Sequence, residues 1–217
     1  MKKSLAELQA AAQNGGPDDW CELGRRYFAE GDDDNALIWL EKASASGHIM
    51  SMHALYRLHF IQQKPDKAVE VLDKLASQYK DPEGMVTLGH LYFTGGIGER
   101  EAAIKLVEDG IAAFGDISKI DWMVKNNAVS VLLDTKDSQV GFLGDIPRLK
   151  LGIQLQQSII DNNKETIMKF GGGEEGWELA HKILDTAKDQ LHYREKTIGH
   201  AKDAIESLQK LAEHLED

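Results

Sequence analysis

The chain has 217 residues, of which 42% are hydrophobic, and it carries a formal net charge of −11. This length and apolar content are sufficient for one folded domain, or for a domain with an appendage. The acidic charge argues against nucleic acid as the main partner, because binding to phosphates requires a basic surface.

The sequence also bears on where the protein is found. No stretch approaches the length needed to cross a bilayer, and the basic residues at the start are not followed by the apolar segment of a secretory signal. The only cysteine, Cys21, cannot form an internal disulfide, as suits a reducing compartment. We therefore expect a cytoplasmic protein without membrane contact, in which Cys21 has a packing role.

Residues 1–17 predict an N-terminal capping helix. Ser4 and Glu7 have the spacing of a capping box, and residues 14–17, Asn-Gly-Gly-Pro, end the helical pattern. We expect this helix to cover the open end of the region that follows.

Residues 18–116 predict three helical hairpins of one kind. Leu23, Leu55 and Leu88 begin matching phrases that are separated by 32 and 33 residues. A period of about 33 residues with two helices per unit is typical of an α-solenoid. Further positions that match between the copies are Trp20/Met52/Met85, Ala36/Ala68/Ala102 and Leu40/Leu72/Leu106.

The phrases Leu-Gly-x-x-Tyr-x-x-x-Gly at 23–31 and Ala-Leu-Ile-Trp-Leu-Glu-Lys-Ala-x-x-x-Gly at 36–47 resemble the Sel-one-like repeat, a close relative of the tetratricopeptide repeat. The second copy departs from this pattern, since Tyr56 stands where the first helix has glycine. The resemblance covers residues 4–116. It implies an all-α, right-handed α-solenoid that holds other proteins together without catalysis.

We predict no metal, cofactor or catalytic site in the repeats. The adjacent carboxylates at 32–34 lack the spacing of a calcium loop, and Asp34 or Asn35 is better explained as a helix N-cap. His48 and His53 are five residues apart, which does not place two ligands on one helix face. A metal hydrolase built from these residues is the enzyme alternative, but no set has ligand or triad spacing.

Arg25, Arg57 and His90 occupy the same register position in the first helices of the three repeats. The resemblance implies that first helices line a concave face. We hypothesise that these residues form a basic ladder that binds a carboxylate-bearing helix or tail of a partner. The alternative is that a solvent-facing helix position holds a polar residue without a binding role.

Residues 117–170 predict a diverged fourth hairpin, with helices at about 119–134 and 146–163 and Asp145 as an N-cap. The glycine-rich stretch at 171–176 predicts a flexible joint or a sharp turn.

Residues 171–217 combine this joint with a long C-terminal helix that has a heptad pattern. The heptad positions form an apolar seam along one side of this helix. Two chains could pair through the seam, giving a homodimer through residues 177–215, or the helix could fold back along the solenoid. The seam positions are Trp177, Leu184, Leu191, Ile198, Ile205 and Ala212, interleaved with Ala180, Ala187, Arg194, Ala201, Leu208 and Leu215.

The sequence therefore predicts a non-enzymatic scaffold or adaptor that binds a partner protein in the solenoid groove. The alternative is an immunity protein that binds and neutralises a toxic enzyme, because an acidic surface suits the masking of a basic toxin. Under either hypothesis the partner is a protein, and the acidic charge favours a basic one.

Overall fold

The computed structural model describes residues 3–133 and 146–213, with side chains described up to residue 209. Eleven α-helices lie in these two ranges, which contain no β-strand. Helices account for 85% of the residues in these two ranges. The predicted all-α class is confirmed.

The first seven helices form consecutive antiparallel hairpins after a single N-terminal helix. Each helix packs against the next, so the hairpins α2–α3, α4–α5 and α6–α7 stack through α3 on α4 and through α5 on α6. Each hairpin thus buries its apolar face against its neighbours, which is the arrangement of an α-solenoid. The predicted solenoid is confirmed. The helices are α1 Leu5–Asn14, α2 Pro17–Ala29, α3 Asp33–Ala45, α4 Ile49–Ile61, α5 Pro65–Ser77, α6 Pro82–Gly95 and α7 Arg100–Phe114.

Side-chain caps fix where the helices begin. The predicted capping box is confirmed, since the Ser4 hydroxyl accepts from the Glu7 N–H and the Glu7 carboxylate accepts from the Ser4 N–H. The N-cap predicted for α3 is wrong. Asp32 caps this helix by accepting from the Asn35 N–H at 3.2 Å, because the helix begins earlier, at Asp33, than the sequence suggested.

Glycine allows close helix approach in the first and third hairpins. A Cβ atom added to Gly24 would lie 2.8 Å from Leu40 Cγ, and one added to Gly89 would lie 2.7 Å from Val107 Cγ2. The equivalent of Leu40 in the third repeat is therefore Val107, and the predicted match to Leu106 is wrong by one residue.

The error arises in the turn between α6 and α7. Gly96 and Gly98 both have positive φ, and this longer turn shifts the second helix by one position. Ala103 is accordingly buried, whereas Ala102, which the sequence placed in the core, is exposed.

The second half of the chain continues the stack with four more helices, α8 Trp122–Leu132, α9 Ile146–Asn162, α10 Lys164–Phe170 and α11 Gly173–Glu213. A short 3-10 helix, Ile117–Lys119, precedes α8. α8 packs against α6, α7 and α9, and these helices share one continuous core. The predicted N-cap Asp145 lies outside the described residues.

The glycine-rich stretch forms a sharp turn between α10 and α11. Gly172 and Gly173 have φ values of 98° and 67°, a conformation that favours glycine. A Cβ on Gly176 would collide with the Gly171 carbonyl oxygen, so the first turn of α11 also needs a glycine.

The heptad seam of α11 is divided into a buried part and an exposed part. Ala180, Leu184 and Ala187 are buried, and α11 packs on α9 and α10. Beyond Ile198 the helix leaves the body of the protein, and every side chain from 201 to 209 is exposed. The proximal seam is therefore filled by the chain itself and is not available to a second copy.

Candidate functional site

Arg25, the first residue of the predicted basic ladder, is exposed on α2 and lines a cavity of about 710 Å³. Its guanidinium forms no hydrogen bond or ion pair with any residue that the structure describes. The other basic residues around this cavity have carboxylate partners, namely Lys3 with Glu22 at 3.1 Å, Arg26 with Glu30 at 2.7 Å and His48 with Asp18 at 2.9 Å.

Cys21 lies one turn before Arg25, at the wall of the same cavity. It is 4% exposed and belongs to the core between α2, α3 and α4. Burial raises the pKa of its thiol, although the charge of Arg25 partly opposes this shift. Because the thiolate is the reactive form, this environment favours packing over reactivity.

Arg57, the second residue of the ladder, is bound within its own chain. Its Nη2 donates to Glu83 Oε1 at 2.6 Å, and its Nε donates to the Tyr56 hydroxyl at 3.2 Å. The Tyr56 hydroxyl in turn donates to Glu83 Oε1 at 2.8 Å. The guanidinium therefore ties α4 to α6, and its charge is already balanced by a carboxylate.

His53 completes this polar network between the second and third hairpins. Its Nε2 lies 3.1 Å from Asp81 Oδ2. Its Nδ1 lies 3.2 Å from Glu83 Oε1, but the angle there is not that of a hydrogen bond. Asp81 also caps α6 by accepting from the Gly84 N–H at 2.8 Å. We name His53, Tyr56, Arg57, Asp81 and Glu83 the inter-repeat network.

Burial and neighbouring charges set the ionisation of this network. Burial alone would lower the pKa of His53, but Asp81 and Glu83 outweigh it and raise the pKa to about 9. Burial alone would raise the pKa of Glu83, but His53, Tyr56 and Arg57 lower it to about 2. His53 is therefore a cation and Glu83 an anion at neutral pH.

His90, the third residue of the ladder, is half-buried on α6, and burial lowers its pKa. It is therefore neutral at pH 7. No hydrogen bond or ion pair joins any two of the three ladder residues. Of the three ladder residues, Arg25 is a cation without a partner among the described residues. The charge of Arg57 is balanced by Glu83, and His90 is a neutral imidazole.

One departure from the repeat pattern points to the inter-repeat network. Tyr56 replaces the glycine found at Gly24 and Gly89, and this departure supplies the hydroxyl that bonds Glu83. The acidic partners lie 26 to 30 residues away in the next repeat, so spacing along the chain could not identify them.

The residues of the metal-hydrolase alternative lie apart. His48 caps α4 by accepting from the Ser51 N–H at 3.1 Å, whereas His53 lies in the inter-repeat network and Asp32 caps α3. Within the ranges 3–133 and 146–213, no three His, Cys, Asp or Glu residues are grouped so that they could hold a metal ion. In the same ranges no helix is long and apolar enough to span a membrane.

Comparison with known proteins finds similarity only at the level of solved structures. No protein-family model matches the chain, and no curated protein is significantly similar to it. Two solved structures of a putative kinesin light chain with nearly identical TPR-like repeats, from Podosopora anserina, are similar at 16% identity, with TM-scores of 0.42 and 0.41. The first covers 97% of this chain and 95% of its own, and the second covers 96% and 94%. The assignment of this chain as an α-solenoid comes from its own helix packing.

Proposed function

We propose that this chain is a non-enzymatic protein-binding scaffold of the Sel-one-like kind whose partner contacts the surface around Arg25. The observation that carries this proposal is an exposed arginine, without a partner among the described residues, beside a cavity whose other basic side chains are paired. Its planar guanidinium matches a carboxylate in two parallel hydrogen bonds. Met50, 54% exposed at the same cavity, adds the apolar contact that such a binding site needs.

In this proposal the three ladder residues have unequal roles. Arg25 binds a carboxylate on a helix or tail of the partner, and Arg57 and His90 contribute shape and polar contacts on the second and third hairpins. The net charge of −11 attracts a basic partner over longer distances. A basic partner that places one acidic side chain against Arg25 satisfies both conditions.

The proposal retains the division of the chain predicted from the sequence. Residues 1–17 act as a cap, residues 18–116 as three Sel-one-like repeats, residues 117–170 as a fourth hairpin, and residues 171–217 as a joint and long helix. Self-association through residues 177–215 would use only the distal part of the seam, because α9 covers the proximal part.

The test is affinity capture of partners from the host lysate with tagged wild-type protein and with Arg25→Ala. The control is Lys105→Ala, which removes an exposed cation on α7 that is 3.5 Å from Asp109. Loss of a charge-assisted hydrogen bond predicts about tenfold weaker binding of the captured partner to Arg25→Ala. Equal affinity of wild type and Arg25→Ala would refute the proposed surface.

The identity of the partner decides between the two forms of the proposal. Several members of one cellular complex, captured through the Arg25 surface, would support an adaptor. One stoichiometric partner with an enzymatic toxin domain, bound in a salt-sensitive manner and inhibited in its activity, would support the immunity alternative.

A further inference from the structure

A second cavity, of about 730 Å³, lies at the amino end of α8, where the 3-10 helix and the junction of α9 and α10 meet. It does not involve the helices that carry Arg25, Arg57 and His90. Its walls include Ser118, Asp121, Lys125, Asn163, Thr166 and Phe170.

Lys125 is the unusual feature of this cavity. It is 2% exposed, yet its amine makes no hydrogen bond or ion pair with any described residue. The side chain is therefore almost wholly enclosed by the protein, and its amine belongs to the wall of the cavity. An ammonium in such a site is normally stabilised by a hydrogen-bonded partner. Burial lowers the pKa of Lys125, while the carboxylates of Asp121 and Asp116 partly oppose this effect.

Two further polar atoms on the residues of the cavity wall lack partners. Trp122 Nε1 is a buried donor and Asn163 Oδ1 a buried acceptor, and neither has a hydrogen bond in the structure. The amino end of α8 adds the positive end of a helix dipole, and Asp121 caps it through the Met123 N–H at 2.8 Å. Neither the Trp122 nor the Asn163 atom is exposed to solvent, so the Lys125 amine and the positive end of the α8 dipole are the features that favour an acceptor as ligand.

The charges and the apolar surface around this cavity limit the class of ligand that it can bind. One lysine faces two nearby carboxylates, Asp116 and Asp121, so a second negative charge on the ligand would be repelled. Met123 is 54% exposed and Phe170 is 69% exposed at the mouth, which leaves apolar surface beside the amine. A singly charged anion with an apolar body therefore fits better than phosphate.

We propose that this cavity binds a monocarboxylate with an apolar body, with the Lys125 ammonium donating to the carboxylate and Phe170 and Met123 covering the apolar part. The carboxylate could belong to a free small acid or to the C-terminal residue of a polypeptide. Both sources present the same chemistry, and the two arms of the experiment separate them.

The experiment is titration of the full chain with sodium hexanoate, followed by calorimetry and by backbone amide chemical shifts. Hexanamide, which has the same body without the charge, and inorganic phosphate, which has charge without the body, are the matched ligands. The second arm compares an acetylated tetrapeptide ending in leucine with its C-terminal amide. Weaker binding of the peptide acid than of hexanoate would identify a small-acid site, and stronger binding would identify a polypeptide terminus.

The test variant is Lys125→Met, which keeps the length of the side chain and removes the charge. The control is Lys119→Met, which removes an exposed lysine near the same cavity, 3.7 Å from Asp116. We expect Lys125→Met to weaken hexanoate binding at least about tenfold, and Lys119→Met to leave it within about twofold. Chemical shifts at residues 118–125 should move with hexanoate and not with hexanamide.

Either of two results would overturn the proposal. One is equal hexanoate affinity in wild type and Lys125→Met. The other is no shift at residues 118–125 with hexanoate or the peptide acid, in protein whose folding is verified by its helical circular dichroism. Because the Arg25 surface is on α2, neither result affects the proposed scaffold function.

Discussion

At the scale of single residues, one substitution in the repeat pattern connects two repeats. Tyr56 stands where the first and third hairpins have glycine, and its hydroxyl meets the carboxylate of Glu83 from the next hairpin. His53 and Arg57, on the same helix, meet the same carboxylate. The inter-repeat network therefore replaces a close glycine contact within one hairpin with polar contacts between hairpins.

This network predicts a defined dependence of stability on pH. The pKa of His53 is raised to about 9, so its contribution is complete below about pH 6.5, the ordinary histidine pKa, and is lost as the pH rises through 9. Replacing His53 with Gln leaves Asp81 without its cation and leaves Glu83 with Arg57 alone. We expect a loss of about 3 kcal/mol in the free energy of unfolding at pH 6, measured by urea denaturation, and a smaller loss at pH 9.5.

His59 provides the matched control for this prediction. It is also buried on α4, but burial and the charge of Lys67 lower its pKa, and it has no carboxylate in hydrogen-bond contact. Above about pH 7.5 this histidine is neutral in both the folded and the unfolded chain, so the difference between wild type and His59→Gln should be constant from about pH 7.5 to about pH 9.5. If the loss caused by His53→Gln is also constant over that range, then His53 is not charged in the folded protein.

At the scale of the helices, close packing within a hairpin depends on glycine. A Cβ on Gly89 would lie 2.8 Å from the Ala103 carbonyl oxygen, which is backbone and cannot rotate away. We expect Gly89→Ala to lower the free energy of unfolding by about 1–3 kcal/mol, although alanine favours helix by about 1 kcal/mol. Gly199→Ala is the control, because its Cβ would meet nothing within 4 Å, and it should raise helicity without a loss of stability. Equal effects of the two variants on the urea midpoint would contradict the packing argument.

At the scale of the whole molecule, α11 is part of the core at one end and exposed at the other. It has 41 residues, which corresponds to about 60 Å of helix. Ending the chain after Ile198 removes only the projecting part, so we expect an unchanged Tm. Ending it after Gly172 removes Ala180, Leu184 and Ala187 and should lower the Tm by on the order of 10 °C.

The same truncations test self-association. If two copies pair through α11, light scattering will give a dimer for the full chain and a monomer for the chain that ends at Ile198. The distal seam includes Ile205 and Leu208, which are 55% and 67% exposed. A dimer that persists after this truncation would exclude the distal seam as the dimer interface.

Features that depend on a local pattern could be predicted from the residues alone. The spacing of Leu23, Leu55 and Leu88 predicted the stacked hairpins, since each copy must bury the same apolar face, and Ser4 and Glu7 predicted a cap because their bonds span one helical turn. The register of the third repeat was wrong by one residue because glycine turns vary in length without a change in the flanking pattern.

Which charges are already paired, and which part of the α11 seam is already covered, became clear only from the packing of the helices. Arg25 and Arg57 are equivalent in sequence, but Arg57 meets Glu83 of the next hairpin while Arg25 meets no carboxylate among the described residues. The heptads of α11 are continuous in sequence, but α9 covers only the first of them. Contacts between segments distant in the chain decide such differences, and a one-dimensional repeat does not contain that information.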